Sequence, residues 1–70
     1  MDVLGQIENN FKWHPPKNDQ ADRYQSLRDT AKALALQVVK DCPESRERSL
    51  ALTNLEQAMF WANASIARNE

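Results

Sequence analysis

One glycine, Gly5, and three prolines, Pro15, Pro16 and Pro43, are the only strong helix breakers in this seventy-residue chain. The breakers sit near the start, at the pair 15–16 and at 43, so two long segments run without interruption, which is a helical signature. From about Asp19 to Asp41, Tyr24, Leu27, Ala31, Leu34 and Val38 recur at steps of three and four and share one helix face. From about Pro43 to Arg68, Leu52, Leu55, Met59, Ala62 and Ile66 repeat that rhythm. The connection "KDCPES" has room only for a tight turn, which makes the two helices antiparallel neighbours.

The spacing predicts a single all-α domain over 1–70, an antiparallel helical hairpin with a short N-terminal helix. The short helix spans about 2–9, a proline-fixed loop 11–18, and the long helices about 19–41 and about 43–68. Asn18 or Asp19 suits the cap of the first long helix, and Pro43 the first turn of the second, followed by Glu44 and Glu47. Val3, Leu4 and Ile7 fall on one side of the short helix, which can act as a lid over the hairpin or over a neighbouring subunit.

Size then becomes the difficulty. A chain this short buries only about 60% of its unfolded surface and is marginal alone. Small domains compensate with disulfides, a metal or self-association. Cys42 is the only cysteine and His14 the only histidine. An internal disulfide is therefore excluded, and the Cys/His ligands of a structural zinc site are lacking. Self-association is the remaining remedy. Leu36, Val39, Leu50, Phe60 and Trp61 lie partly or wholly off the seam, and surplus apolar surface points to a partner. Identical copies in a closed symmetric assembly are the economical form.

The net charge of −1 provides no global field for nucleic acid or membrane, so any anion site must be local. The start, Met-Asp-Val-Leu-Gly, lacks a signal peptide's basic and apolar regions, and no run approaches the ~18 apolar residues of a membrane span. The chain reads as cytosolic, with a reduced thiol.

Catalysis finds no constellation. At ~1.5 Å per helical residue, the hairpin turn holding Cys42 lies roughly 30 Å from the end holding His14, so the two cannot cooperate within one chain. No phosphate-cradling glycine loop is present, and the carboxylates are spread over solvated faces. A non-enzyme without metal or cofactor is expected. Cys42 reads as a small residue at the start of the second long helix.

The stretch "FKWHPPK", Phe11 to Lys17, carries two of the five aromatic residues in a stiff, basic, non-helical segment. Phe11 reads first as a staple or lid on the following helix. Trp13, flanked by basic residues and prolines, is the better stacking surface, and stacking a base is worth roughly 1–3 kcal/mol. His14 can bond a ligand or close the turn before Pro15. Arg28 and Lys32, four residues apart, offer a bidentate phosphate donor and a point charge, although Asp29 sits beside them. Ser45, Arg46 and Ser49 crowd a helix N-terminus, where free N–H groups can bind anions or simply be capped.

The residues "FKWHPP…DRYQSLRDTAKALA…CPESRERSLALTNLEQAMFWANASIAR" resemble the helical-hairpin domain of phage anti-CBASS nucleotide sponges, which the Thoeris-signal sponges share. The resemblance covers about Phe11 to Glu70. It is strongest in "SRERSLALTNLEQAMFWANASIAR", "WHPP" and "LRDTAKALA". It implies a non-enzymatic function in the cytoplasm of the infected bacterial host. Family members sequester cyclic oligonucleotide messengers uncleaved, so that defence effectors are not activated. Anti-CBASS members form homohexamers with cyclic dinucleotide pockets between protomers, and some bind cyclic trinucleotides near the threefold axes.

Carried over residue by residue, the resemblance makes Trp13 the base-stacking position, where the family more often has Tyr. Arg28 matches a phosphate-binding position and Thr30 a hydroxyl contact. His14, Phe11 and Arg68 complete the candidate lining of the dinucleotide site, and Arg46 with Ser49 marks a trinucleotide site. Arg28 and Thr30 lie about 200° apart on one helix at ~3.6 residues per turn, so one pocket takes both only by an oblique approach or with two chains. The implied ligands are dinucleotides like 3′,3′-cGAMP and, at the second site, cyclic triadenylate. The alternative is an oligomeric helical adaptor with no small-molecule ligand. A binder of long nucleic acid is disfavoured because no contiguous basic stripe exists.

Overall fold

Asp2 starts the first helix. Its Oδ1 accepts from the Gly5 N–H at 2.6 Å, and α1 runs Val3–Asn10. The computed structural model describes residues 2–70. α1 closes with the Phe11 N–H donating to the Ile7 carbonyl at 3.0 Å. Residues 13–17, with both prolines of the pair, have no regular structure. Asn18 then takes a positive φ of 54°, a left-handed conformation that asparagine tolerates, and turns the chain into α2, Gln20–Asp41. α3 runs Arg46–Asn69. Every element among the described residues is a helix.

The start of α2 departs from the expected cap. Asp19 stands at the cap position, but its side chain makes no capping bond. It pairs instead with Arg23 one turn on, at 3.2 Å. Gln20 serves the helix start, its Oε1 accepting from the Lys17 N–H at 3.2 Å, much as a capping-box glutamine reaches backwards. The start of α3 also differs from expectation. Pro43 and Glu44 lie in the connection, and Ser45 is the cap, its Oγ accepting from the Arg48 N–H at 3.1 Å. The residue before a proline is pushed to extended backbone, and Cys42 has φ −111° and ψ 133°. Helix therefore resumes only where the next good cap stands. Cys42 is accordingly the exposed C-cap of α2 and not a helix-start residue.

The seam between α2 and α3 is only half-buried. On α2 it runs through Tyr24, Leu27, Ala31, Ala35 and Val38, and on α3 through Leu52, Leu55, Met59, Ala62 and Ile66. One expected member moves out: Leu34 is 48% exposed, and Ala35 takes its place. Small side chains at 31 and 35 allow close helix approach, which leaves the bulkier Leu34 at the margin. Leu36, Val39, Leu50, Phe60 and Trp61 are exposed, as their off-seam positions implied. So are Val3, Leu4 and Ile7, and α1 does not lay its apolar face over its own hairpin.

No hydrophobic side chain among the described residues is fully buried, and Gln20 is the one buried polar residue. The radius of gyration is 15.3 Å, against about 11 Å for a compact chain of this length. Accessible surface is 5742 Å² at 8.0 kDa, which exceeds by roughly 1,300 Å² what a compact monomer of that mass exposes. That excess is of the size a specific protein–protein interface buries.

Candidate functional site

The segment carrying Trp13 is held at both ends by the same part of α3. At its first end, the Asn9 carbonyl takes a hydrogen bond from His14 Nε2 at 2.8 Å. A carbonyl can only accept, so Nε2 carries the proton. The Asn9 side chain in turn donates Nδ2 to the Arg68 carbonyl at 3.0 Å. At its far end, Lys17 Nζ donates to the Glu70 backbone oxygen at 2.7 Å, and Gln20 Nε2 to Glu70 Oε1 at 3.2 Å. Between these clamps Trp13 is 79% exposed, a free indole on a restrained backbone.

The second clamp is electrostatic at its centre. Arg23 Nη1 donates to Glu70 Oε2 at 2.8 Å, and Nη2 reaches Oε1. These bonds, followed by that from Gln20, lower the Glu70 carboxyl from its usual 4.5 to about 2. The hydrogen bond to Glu70 likewise holds Arg23 in its charged form, against the opposing effect of burial.

Arg28 stands elsewhere, about two turns along α2 from Gln20. Its Nη2 donates to Gln25 Oε1 at 3.0 Å, and Gln25 Nε2 donates to Asp29 Oδ1 at 2.8 Å. These three residues, with Lys32 and Glu56, line an open groove of about 480 Å³ beside the seam. Ala31, Ala35, Leu52, Leu55 and Met59 form its apolar lining. Two cations face two carboxylates there, so the groove of one chain has no net field for an anion. Thr30 falls in a different groove, of about 250 Å³, with Leu27 and Leu34. Ala31, Leu55 and Met59 line both, which puts Arg28 and Thr30 on opposite sides of the seam. Trp13 lines neither.

The remaining candidates are dispersed. Phe11 is 87% exposed and does not cover α2. It is the C-cap of α1, and the extended proline segment carries it away from the next helix. Arg68 lies over the Trp61 ring, Cζ 5.9 Å from the centroid, in a third groove with Phe60 and Gln57. Arg46 is exposed at the first position of α3, and Ser49 Oγ is engaged with the Ser45 carbonyl at 3.2 Å. Arg48, which the sequence reading passed over, reaches the Cys42 carbonyl at 3.4 Å. Among the described residues no helix is long and apolar enough to cross a membrane.

Residues 4–67 match the family described as Acb2/Tad1, hairpin domain. The chain belongs to this family. No curated protein and no solved structure matches it. Membership of the Acb2/Tad1 hairpin family agrees with the resemblance seen in "WHPP", "LRDTAKALA" and the α3 run. The match spans α2 and the connection, and nearly all of α1 and α3. It therefore includes Trp13, Arg28 and Thr30 and stops short of Glu70.

Asn9, Gln20, Arg23 and Glu70 were missed as site-supporting residues. A signal for them existed. Once an antiparallel hairpin is accepted, the first turns of α2 must lie beside the end of α3. A basic residue at 23 and an acidic one at 70 are then natural partners. Asn9 offered no comparable signal, because the path of the loop after α1 decides what it meets.

Proposed function

We propose that this chain is a phage-encoded anti-defence sponge that binds cyclic dinucleotide messengers and sequesters them uncleaved, blocking activation of CBASS effectors in the infected cell. The observation that carries the reading is the family match over 4–67. The exposed Trp13 on its doubly clamped segment adds support, as a preorganised stacking wall. A sponge competes with a receptor by affinity alone, so a binding surface ordered in advance is an advantage.

In this reading the protein works as an assembly, a homohexamer in which neighbouring copies complete each site. Arg28 and Thr30 lie on opposite sides of the seam, and Trp13 lines neither groove, so a pocket using all three draws on more than one chain. A second copy also meets the surplus accessible surface. The chain acts by stoichiometric capture, with no catalytic residue and no cofactor. Arg46 and Ser49 mark the place where a cyclic trinucleotide is held near a symmetry axis.

The adaptor reading draws on the same exposed apolar surface, at Leu36, Val39, Phe60 and Trp61. One experiment separates the two. The purified protein is incubated with a panel of cyclic di- and trinucleotides, including 3′,3′-cGAMP and cyclic triadenylate, and examined by native mass spectrometry. A sponge shows one oligomer mass with discrete ligand additions, and heating releases the nucleotide intact. An adaptor shows no ligand addition across the panel, and a cleaving enzyme releases products.

A further inference from the structure

Trp13 makes no hydrogen bond of its own among the described contacts, yet its segment is tied on both sides to the end of α3. One tie runs from His14 through the Asn9 carbonyl and the Asn9 side chain to the Arg68 carbonyl, in links of 2.8 and 3.0 Å. The other runs from Lys17 Nζ to the Glu70 backbone oxygen at 2.7 Å, and through the buried Gln20 to the Glu70 carboxylate. The residues between carry two prolines and no regular structure, so no helical ladder holds them. Released from either tie, the indole becomes the tip of a tethered but wandering strand.

We infer that Asn9 and Glu70 are positioning residues for Trp13, fixing its segment against the end of α3 so that the stacking surface is set before any ligand arrives. The inference rests on the reading of Trp13 as the stacking residue. Arg23 belongs to the same device, because its two nitrogens hold the Glu70 carboxylate in place. Gln20 and Arg23 converge on the Glu70 side-chain carboxylate, while Lys17 takes the backbone oxygen of the same residue. The Glu70 carboxyl stays ionised at neutral pH, so the tie is present where the protein works.

The test reads the segment first and the ligand second. In a Trp61→Phe background, Trp13 is the only indole, and its fluorescence anisotropy reports segment motion with no ligand present. Glu70→Ala and Asn9→Ala are each expected to lower that anisotropy, while helicity and oligomer mass stay at the parent's values. Affinity for 3′,3′-cGAMP is expected to weaken on the order of tenfold, because freed residues must be ordered again on binding. Glu70→Gln keeps an acceptor and is expected to recover part of both effects. Should Glu70→Ala lose helicity, Asn9→Ala carries the test at the opposite tie. Unchanged anisotropy in both variants, with the parent still binding 3′,3′-cGAMP, overturns this inference and leaves the sponge reading intact. A parent that binds no panel member overturns the sponge reading and the stacking role with it, even if the anisotropy falls.

Discussion

Arg23 and Glu70 stand 47 positions apart in sequence and meet across the open end of the hairpin, Nη1 donating to Oε2 at 2.8 Å and Nη2 approaching Oε1. This is the two-pronged geometry by which a guanidinium recognises a carboxylate. It closes the end of α3 onto the start of α2 and brings Lys17, at the end of the proline segment, into the same cluster. Asp19 adds a second carboxylate to Arg23, at 3.2 Å.

That relationship sets a pH dependence. The Glu70 carboxyl falls from an ordinary 4.5 to about 2, through Arg23 first and Gln20 second. A depressed carboxylate stabilises the fold fully above its unfolded value, and that contribution drains away as pH falls through the folded value. Lys17 and Arg23 face the group, and Asp19 shares Arg23. The expected outcome is a melting temperature that declines between about pH 4.5 and about 2 in the parent. Glu70→Gln should show a shallower decline over the same window, the rest arising from other carboxylates. Thermal melts by circular dichroism at closely spaced pH values check it; superimposable slopes for parent and variant would remove the cluster's role.

The dinucleotide site makes a sharper demand on two side chains. Removing the Trp13 ring should cost roughly 1–3 kcal/mol of binding, the usual worth of an aromatic stacked on a base. Trp13→Ala is thus expected to weaken binding by one to two orders of magnitude, with Trp13→Phe between. Arg28→Ala removes a charge-assisted bond to phosphate and should weaken binding comparably. Neither residue lies on the half-buried seam, so the hairpin itself should fold in both. Isothermal calorimetry with native mass spectrometry decides the matter. Near-parental affinity in both variants would mean that the ligand sits elsewhere.

Ser45 tests how α3 begins. Its Oγ accepts from the Arg48 N–H at 3.1 Å and donates to the Pro43 carbonyl at 3.0 Å, so one hydroxyl caps the helix and braces the turn. Losing such a cap costs about 1 kcal/mol. Ser45→Ala should therefore lower the melting temperature by about 4–8 °C for a domain of this size. Ser49→Ala, whose hydroxyl only bonds back to the Ser45 carbonyl, should have a clearly smaller effect. Equal shifts would place the effective start of α3 elsewhere than Ser45.

The hairpin was legible because its signals are local. Periodic apolar residues and the proline positions fix two helices and their antiparallel path without reference to anything distant. The errors fell where a choice depended on what lay opposite. Leu34 and Ala35 both fit the three-four rhythm, and only the closeness of α3 selects the smaller one. Pro43 was a reasonable first helical residue until Ser45 supplied a side-chain oxygen that Cys42 lacks. Phe11 was a reasonable staple until the proline segment led it away from α2. Trp13 was conspicuous by composition, but its supports were not, since Asn9 and Glu70 act through partners 59 and 53 positions away, Arg68 and Lys17.

Self-association gives the last expected outcome. Among the described residues no apolar side chain is fully buried, α1 offers Val3, Leu4 and Ile7 to solvent, and the exposed surface exceeds that of a compact monomer. A lone hairpin of this kind has little margin against conformational entropy. Folding coupled to association makes the melting temperature depend on concentration, by mass action. Raising protein from low to high micromolar should therefore move the midpoint upward by several degrees, and sedimentation should report a single closed species at the upper end. Charge placed on the surplus surface, as in Phe60→Glu or Leu4→Glu, should lower that mass without touching the α2–α3 seam. A concentration-independent midpoint with a monomer mass throughout would show that the hairpin stands alone, and the shared-pocket geometry would lose its basis.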